Sequence, residues 1–551
     1  MQSSQIKETS SQNHQVLVVG LDSCDPVLVQ LWAREGKLPF LSSLMKTGVW
    51  SPLVSAHGLF PDMPWVSCTT GVVPAKHGFF NFMQLKRGTT EFVRRSPSSI
   101  RHYPFWWLLR GVGKRVAIFD VPKTYPLANI DGVQVAAWGE HYPLIEQSSL
   151  PKELIEDLVA KFGTYRHAKE VVSPRTVKTE RHIYDLLRSG IEQRTQAIAY
   201  LLKQENWDLF FTVFSESHYA GHQFYHHHDT SHWAHDAEWA AKLDDPLPAS
   251  YTRLDRALAE LFQQRSADVT LILVSVHGIA TNYSGNHFMP DILEKLGYQV
   301  RAEHPAAPTS TTGQLLKLTA SIRNLIPNVA REWINEHLVP EAVHDRAYFG
   351  QFSSRIDWRQ SKAFFMPSDH FEGFISVNLH GREPFGTVQP GAEYDQVCTA
   401  LISDLKQLTN PDTGRSAVRD VIQVSKLMTG PFLFNLPDLV VQWADDAYIT
   451  SVHHPRFGIL SDEHFDLRKS QHTTDGFLIA TGKHINHQAS LINATTLDIA
   501  PTLLYLMGQP IPNDYDGRVL TELLDPEFVN RTPIQSCDRP LIIPEEMVLS
   551  G

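Results

Sequence analysis

The sequence predicts an α/β protein with a mostly parallel central sheet and helices on both faces. Three short apolar runs have the length and composition of buried strands. They are Gln15–Gly20, Trp207–Phe214 and Val269–Val274. Helical patterns separate these runs, at Val27–Lys46, Thr179–Gln204 and Ala249–Gln264. Because strands that alternate with helices form parallel sheets covered on both sides, these observations together predict the fold class.

Later segments extend this pattern. Strands are predicted at Phe374–Leu379 and Leu439–Trp443, with a helix within Val388–Leu408 between them. The stretch Glu303–Arg346 is helix-prone but lies next to a cluster of Pro, Thr and Ser, which indicates an insertion. We therefore expect one domain over residues 15–525, with insertions at about 79–175 and 303–357. Residues 1–14 and 526–551 would then be terminal extensions.

Composition limits the classes of protein to be considered. The chain has 551 residues, of which 42% are hydrophobic, and a formal net charge of -11. A large hydrophobic core is expected, whereas the negative charge argues against binding to a nucleic acid polymer. Neither a signal peptide nor an apolar run long enough to span a membrane is found. Four widely spaced cysteines fit reduced thiols in a cytoplasmic protein better than a disulfide framework.

Polar side chains follow each of the three predicted strands. Asp22 follows the first strand, His218 and His222 follow the second, and His277 follows the third. Ligands bind at the carboxyl ends of parallel strands. On a helix, His218 and His222 are four residues apart and project from one face, so both can bind one metal ion. His226 continues that face, while ordinary structural roles are expected for His227, His228, His232 and His235.

Two further candidates lie outside these strand ends. His472 is in a polar loop just before an apolar strand. A histidine in such a loop is ordinarily exposed on the surface and has no special role. Asp62 is followed by Pro64, a pattern typical of a helix N-terminus. Such an end favours a bound anion, although Asp62 could equally serve only as the helix cap.

Taken together, the motifs resemble the alkaline phosphatase superfamily, and within it the type I phosphodiesterase/nucleotide pyrophosphatase-like branch. The resemblance runs from about residue 15 to about residue 525. It rests on the segments VVGLD, PW with TTG and VPAKHGFFNF, HYAGHQ, SVHG, VNLHGREPFGTV, PDLVVQW, RKSQHTTDGFLIA and LDIAPTLLYLMG with DYDGR. It implies an alkaline phosphatase-like fold with inserted cap segments. It also implies a binuclear metal site, usually of zinc, that hydrolyses phosphate or sulfate esters with a hydroxyl nucleophile.

Carried over by position, the resemblance assigns metal ligation to Asp22, His222, His277 and His472. Three positions depart from the pattern of the superfamily. His218 and Val276 each replace an Asp, and Pro61, beside Asp62, occupies the place of the nucleophile. The site thereby loses two negative charges, which favours a single ion or a loosely held second one. Asp62 could restore a carboxylate, as a ligand or as a base that activates water.

The leading hypothesis is a metal-dependent hydrolase of a phosphoester, above all a phosphodiester or phosphoanhydride. One or two divalent ions, zinc before others, would be held by Asp22, His218, His222, His277 and His472, with Asp62 near the attacking group. The expected partner is a small anionic substrate, and no membrane is involved. Two alternatives stay open: metal-assisted hydrolysis or elimination on a substrate without phosphate, and a non-catalytic, anion-binding descendant of the fold.

One arginine admits two interpretations. Arg382, in the segment His380-Gly381-Arg382-Glu383-Pro384, could bind a phosphate with two parallel hydrogen bonds. The same segment fits a turn with an internal Arg–Glu pair. The sequence has no motif that indicates the substrate's identity or the oligomeric state.

Overall fold

The structure is a computed structural model that describes residues 14–60, 63–140, 143–166, 176–266, 268–303, 349–368, 371–462, 468–539 and 541–543. None of the helices in these ranges is long and apolar enough to cross a membrane. Most of the predicted insertion at 303–357, and with it most of Glu303–Arg346, falls outside the described residues.

Twenty strands are formed by the described residues. They are β1 (Gln15–Leu21), β2 (Val49–Val54), β3 (Met83–Leu85), β4 (Phe92–Arg94), β5 (Val116–Phe119), β6 (Gly132–Ala136), β7 (Ser148–Leu150), β8 (Leu209–Phe214), β9 (Val269–Ser275), β10 (Gly278–Thr281), β11 (Ala363–Met366), β12 (Gly373–Val377), β13 (Val418–Gln423), β14 (Leu439–Trp443), β15 (Ser451–His454), β16 (Gly458–Ser461), β17 (Ser470–Thr473), β18 (Asp475–Gly482), β19 (Ile511–Pro512) and β20 (Ser536–Cys537).

Helices occupy much of the chain between the strands. The α-helices of the described residues are α1 (Pro26–Arg34), α2 (Pro39–Thr47), α3 (Pro64–Thr70), α4 (Pro74–His77), α5 (Glu153–Phe162), α6 (Val177–Gln204), α7 (Glu216–His228), α8 (Ala237–Leu243), α9 (Pro246–Phe262), α10 (Met289–Leu296), α11 (Ala392–Leu405), α12 (Ile499–Leu506) and α13 (Pro526–Arg531).

Two compact units are formed by the described parts of the chain. Unit 1 comprises residues within Met1–Val73, Pro97–Thr281 and Arg468–Gly551, and unit 2 comprises residues within Pro74–Ser96 and Asn282–Leu467. The chain thus leaves unit 1 twice and returns to it twice. All five residues predicted to bind metal belong to unit 1.

Unit 1 is built on an eight-stranded sheet with the order β2-β18-β9-β1-β8-β5-β6-β7. The five strands from β9 to β6 are parallel to one another. At one end of the sheet, β18 pairs antiparallel with both β9 and β2. At the other end, β7 pairs antiparallel with β6. β1 lies near the centre and is buried on both sides, which explains its unbroken apolar sequence.

Helices cover both faces of this sheet. Side chains alternate along β1, so that Leu17, Val19 and Leu21 pack into a core shared with α1, α2, α6, α7 and α9. Val16 and Val18 point to the opposite face and pack with residues of α3 and α12. The predicted fold class, a mostly parallel sheet with helices on both faces, is confirmed.

Some elements differ from the predicted ones. The helix predicted at Val27–Lys46 is two helices, α1 and α2, and the second begins at Pro39. Proline cannot continue a helix but is favoured in a first turn, so it marks the start of α2. Residues 79–175, predicted as an insertion, include β5, β6 and β7 of the main sheet.

Unit 2 has its own sheet and core. Its four strands pair antiparallel in the order β11-β12-β14-β13. α10 and α11 pack against this sheet around the fully buried Trp443. β12, α11 and β14 fall within the segments where the sequence predicts a strand, a helix and a strand.

Candidate metal centre

Three strand ends meet at one edge of the unit 1 sheet. β1 lies between β8 and β9 and runs parallel to both, so the carboxyl ends of the three strands reach the same edge. Asp22 follows β1 directly, His218 lies in the first turn of α7 after β8, and His277 follows β9. The candidates predicted from three separate segments are therefore neighbours in space.

Three buried histidines converge on one point beside this edge. The Nε2 atom of His222 lies 3.1 Å from that of His218 and 2.9 Å from that of His472. The third side of the triangle, between His472 and His218, is also 2.9 Å. Each of the three side chains is at least nine-tenths buried. This triangle of Nε2 atoms, called the histidine triangle below, brings His472 together with a pair that lies about half the chain away.

The other nitrogens of two of these rings are held by the protein. Nδ1 of His218 donates to Asp22 Oδ2 over 2.7 Å. Nδ1 of His222 lies 3.1 Å from Ser470 Oγ, whose own proton goes to the carbonyl of Gly221. Ser470 therefore accepts the proton of His222. Both rings are left with a lone pair on Nε2, directed into the histidine triangle.

A metal ion fits this arrangement. Two lone pairs 3.1 Å apart repel each other, and either a cation or the N–H of His472, 2.9 Å from both atoms, can relieve this repulsion. Zinc binds imidazole nitrogens at about 2.0–2.1 Å, which places tetrahedral ligand atoms about 3.3 Å apart. The spacing of the histidine triangle is slightly shorter than this. Its three buried imidazole nitrogens are donor atoms that could hold a metal ion.

Close packing of α7 on β10 brings the histidines together. A Cβ atom added at Gly221 would lie 2.6 Å from Cδ1 of Ile279 and 3.0 Å from its Cγ2. Ile279 is in turn paired with His472 across β10 and β17. Glycine at position 221 therefore lets the helix that carries His218 and His222 approach the ribbon that carries His472.

Asp22 is enclosed by donors. Its Oδ1 accepts a 2.7 Å hydrogen bond from the indole Nε1 of Trp65, and lies 3.3 Å from Nε2 of His277. Trp65 reaches this carboxylate because it lies against Gly20, where a side chain would leave no room for the indole. Burial alone would raise the pKa of Asp22, but the charge and hydrogen bond of His218, then those of His277, hold it well below its ordinary value.

His277 lies beside Asp22 rather than within the histidine triangle. Its Nδ1 is 3.1 Å from Ser23 Oγ, and Ser23 has the left-handed backbone, with φ of 55°, that side chains rarely adopt. Val276, in the place of a carboxylate in the superfamily pattern, is fully buried in the apolar core behind the sheet edge. The position thus offers no second carboxylate.

A buried ion network anchors the start of α7. Arg194 of α6 pairs with Glu216, the first residue of α7, over 3.0 Å and with Asp120 over 2.7 Å. All three side chains are fully buried, and Tyr165 also donates to Glu216. The sequence reasoning missed this network, because charged residues on a long helix ordinarily face solvent. Arg194 is nevertheless in contact with a residue only two positions before His218.

The remaining histidines of α7 are held by hydrogen bonds. His227 pairs with Glu180 over 2.7 Å, and Nε2 of His226 lies 3.2 Å from Lys469 Nζ. Glu180, His226 and His227 lie close enough to bind an ion, but the Glu180–His227 hydrogen bond and the lysine charge account for them without one. His228, His232 and His235 contact Asp245, the Lys469 carbonyl and the His226 carbonyl, as expected for structural roles.

The other candidate functional residues either lie outside the described residues or have side chains that already form hydrogen bonds. Asp62 is outside the described residues, although α3 does begin at Pro64 as predicted. Thr69 and Thr70, the two threonines of the TTG segment, carry hydroxyls that could act as nucleophiles, but both hydroxyls donate to carbonyls of their own helix. Arg382, in unit 2, binds both Glu383 and Asp438, which agrees with the turn interpretation and leaves its guanidinium no free edge for a phosphate.

Comparison with known proteins identifies the family. The model of the family described as type I phosphodiesterase/nucleotide pyrophosphatase matches residues 16–473. No curated protein matches the sequence. Among solved structures, phosphonoacetate hydrolase from Sinorhizobium meliloti 1021 in complex with phosphonoformate has a TM-score of 0.50 at 14% identity, with 89% of this chain and 94% of that chain covered. Wild-type alkaline phosphatase PafA has a TM-score of 0.51 at 14% identity, with 93% and 99% covered.

Likeness at such low identity shows a shared fold, the one that the motifs had indicated. The match to the family model does not depend on these solved structures, and it spans most of the chain, from β1 to β17. The resemblance inferred from the motifs is thereby confirmed. The chain belongs to the type I phosphodiesterase/nucleotide pyrophosphatase family.

Proposed function

We propose that the protein is a metal-dependent hydrolase of phosphoesters, with a phosphodiester or a phosphoanhydride as its substrate. The observation that carries the proposal is the histidine triangle at the carboxyl edge of the sheet, in a chain whose family is named for these two reactions. His218, His222 and His472 would hold the ion, most simply zinc, with Asp22 and His277 beside it. When bound, zinc polarises a phosphoryl oxygen and activates a water molecule.

The charge of the centre favours an anionic substrate. Three neutral imidazoles leave the double charge of a zinc ion uncompensated, and Asp22 next to them contributes only one negative charge. A net positive charge in a buried site attracts a phosphate group more strongly than a neutral ester or amide. This supports a small anionic molecule as the partner, as the sequence predicts.

We propose direct attack by water instead of a covalent intermediate. The hydroxyls of Thr69 and Thr70 are hydrogen bonded within α3, which leaves neither poised as a nucleophile. We propose Asp62, two positions before the start of α3, as a base or as a further metal ligand. An Asp62→Asn variant with unchanged zinc content and activity lowered about a hundredfold would identify a base; reduced zinc content would identify a ligand.

The environment of the cysteines supports a reducing compartment. Cys24, Cys68, Cys398 and Cys537 are all unpaired thiols, and the first three are buried. Proteins of oxidising compartments usually pair their cysteines. We therefore propose that the enzyme acts in the cytoplasm.

Metal content and turnover test the proposal together. Zinc per chain is measured by elemental analysis. The rate of hydrolysis is measured with four probes: bis(para-nitrophenyl) phosphate, a nucleoside triphosphate, para-nitrophenyl phosphate and para-nitrophenyl acetate. We expect the first two probes to be preferred, and His222→Ala to lose zinc and more than about a hundredfold activity. His487→Ala, at an exposed position of unit 1, is the matched control and should change neither.

Three results would overturn the proposal or a part of it. Wild-type protein that cannot be loaded with any divalent ion would mean that the histidines serve structure alone. Zinc-loaded protein that binds phosphate esters without turning them over would instead indicate an anion-binding protein. Preference for the carboxyl ester over both phosphate diesters and anhydrides would overturn the substrate class.

A further inference from the structure

We infer that Asp22 is a positioning residue, which orients His218 toward a single tightly bound ion, and is not itself a ligand of a second ion. This inference rests on the proposed function and deepens it, because it concerns the same site. It departs from the binuclear arrangement that the motifs imply.

Both oxygens of Asp22 already have strong donors. Oδ2 accepts from His218 Nδ1 and Oδ1 accepts from Trp65 Nε1, each over 2.7 Å. Both bonds are as short as charge-assisted hydrogen bonds between nitrogen and a carboxylate. Each oxygen has a second lone pair, but a metal ion bound to Oδ2 would draw electron density from the hydrogen bond that orients His218. A metal ion on Oδ1 would weaken the bond from Trp65, and a buried indole N–H that lost its acceptor would cost about 1–3 kcal/mol.

The contact with His218 is on the side of the ring away from the histidine triangle. Nδ1 donates to Asp22, while Nε2 lies 3.1 Å and 2.9 Å from the Nε2 atoms of the other two histidines. A carboxylate that accepts the second proton of a metal-bound histidine fixes the ring and strengthens its lone pair as a donor. Asp22 stands in that relation to His218.

The backbone holds this pair in register. The hydroxyl of Ser217 donates to the carbonyl of Asp22 over 2.6 Å, and the amide of Asp22 donates to the carbonyl of Phe214 over 2.9 Å. The end of β1 is thereby tied to both the end of β8 and the first turn of α7. The position of the carboxylate relative to His218 is set by this connection and needs no metal to fix it.

Among the described residues, a second ion between Asp22 and His277 would have few further ligands, because the neighbouring rings of His218 and His472 belong to the histidine triangle. In the group formed by Asp22, His218 and His277, the Nδ1 atom of His218 donates to Asp22 and its Nε2 atom belongs to the histidine triangle. His277 already has Ser23 against its other nitrogen, and the neighbouring Val276 is apolar. One carboxylate and one imidazole are too few to hold a zinc ion tightly.

Metal stoichiometry and affinity in Asp22→Asn test the inference. Zinc per chain is measured by elemental analysis, zinc affinity by competition with a chelator, and ligand geometry by the visible absorption of cobalt-substituted protein. We expect one ion per chain in both wild type and variant, a zinc dissociation constant about 10–100-fold higher in the variant, and a cobalt spectrum of similar form. Circular dichroism establishes that the variant is folded.

Two ions in wild type and one in Asp22→Asn would overturn the inference while leaving the proposed function intact. Wild type that takes up no ion would overturn the proposed function itself, and the inference with it. An unchanged zinc affinity in folded Asp22→Asn would also overturn the inference, because an orienting carboxylate must contribute to binding.

A milder pair of variants keeps the test decisive if Asp22→Asn does not fold. Trp65→Phe removes the second donor to Asp22 but keeps an aromatic ring against the sheet. Trp106→Phe is its control, since Trp106 is buried in the same core and its Nε1 donates to no partner among the described residues. We expect about fivefold weaker zinc binding in Trp65→Phe, which is the loss expected for one hydrogen bond. Zinc binding in Trp106→Phe should not change. Equal affinities would contradict the inference.

Discussion

Ser470 illustrates how one hydroxyl determines the chemistry of a neighbouring histidine. It donates its own proton to Gly221 and so can only accept from His222 Nδ1. The lone pair of His222 is thereby restricted to Nε2, the atom in the histidine triangle. Such outer contacts commonly account for a tenfold to hundredfold difference in metal affinity.

Replacing this hydroxyl should weaken metal binding without removing a ligand. We expect Ser470→Ala to raise the zinc dissociation constant about tenfold, because both the ring orientation and the tautomer of His222 lose their restraint. Chelator competition measures the effect. Ser250→Ala, which removes another buried hydroxyl of unit 1 that bonds to a helix carbonyl, should leave the affinity unchanged. Equal loss in both variants would show only a general effect of removing a buried hydroxyl.

A histidine of unit 2 should make stability depend on pH. Burial lowers the pKa of His287 to about 4 from an ordinary value of 6.5, with the charge of Asp462 partly opposing. Between these values the unfolded chain takes up a proton that the folded chain does not, so stability falls as pH is lowered from 6.5 toward 4. We expect a loss of about 2 kcal/mol between pH 7 and pH 5 from this group.

Denaturant titration at the two pH values measures this difference. In His287→Gln the fall in stability between pH 7 and pH 5 should be smaller than in wild type by that amount. His487→Gln, at an exposed position, should retain the wild-type fall. The same pH dependence in all three proteins would contradict the assignment to His287.

The sequence predicts some of these residues and not others for a physical reason. Helical spacing places His218 and His222 on one face wherever the helix lies, so their pairing is a local property. Trp65 and Asp22 are 43 positions apart and meet only because β1 and α3 pack together. The local sequence predicts a loop around His472, and only the pairing of β17 with β10 brings this histidine inside. Contacts between residues that are far apart in the sequence leave no pattern in the residues next to them.

At the scale of elements, the approach of α7 to β10 is the feature on which the centre depends. We expect Gly221→Ala to weaken zinc binding more than about tenfold, because the added methyl group would push α7 away from Ile279 and separate His222 from His472. Alanine is the better helix former by about 1 kcal/mol, so a loss cannot come from an intrinsically weaker helix. Zinc affinity and helix content are measured together.

A second substitution on the facing strand provides the control. Ile279→Val removes Cδ1, the atom nearest to the added methyl group. The double variant Gly221→Ala/Ile279→Val should recover part of the lost affinity, whereas Ile279→Val alone should change it little. No recovery in the double variant would mean that the methyl group acts through some other contact.

The predicted elements succeed where the local pattern is long and fail where a single residue decides. α6 and α9 agree with the predicted helices to within three residues at each end. The break between α1 and α2 depends on Pro39, which the apolar period does not register. The sequence assigns β5 to β7 to an insertion, because strands of three to five residues between loops have too little sequence to show which sheet they join.

At the scale of the whole molecule, a bound ion would join distant parts of unit 1. His222 and His472 are 250 positions apart, so an ion held by both stabilises the folded unit relative to the unfolded chain. We expect zinc at about a hundred times its dissociation constant to raise the free energy of unfolding of unit 1 by about 3 kcal/mol. Calorimetry with and without chelator measures the shift.

The stabilisation should require the histidine triangle. His222→Ala should show no zinc-dependent shift, and His487→Ala should show the full shift of wild type. A shift of equal size in His222→Ala would mean that zinc stabilises the protein from another site.

The fold class could be predicted because it depends on averages over many residues. The alternation of strands and helices, and the burial of β1 on both faces, follow from apolar period alone. The division into two units could not be predicted in this way. Unit 2 is assembled from Pro74–Ser96 and from a much later segment, and neither shows a change in composition where the chain leaves unit 1.

The same distance of 250 positions has a meaning for protein synthesis. Ribosomes add about 5–20 residues per second, so His472 is made roughly 12–50 seconds after His222. Throughout that interval the nascent chain carries the α7 histidines but not their third partner, while the larger part of unit 2 is being translated. The histidine triangle can therefore be completed only after His472 has been made, long after the two histidines of α7 and after the larger part of unit 2.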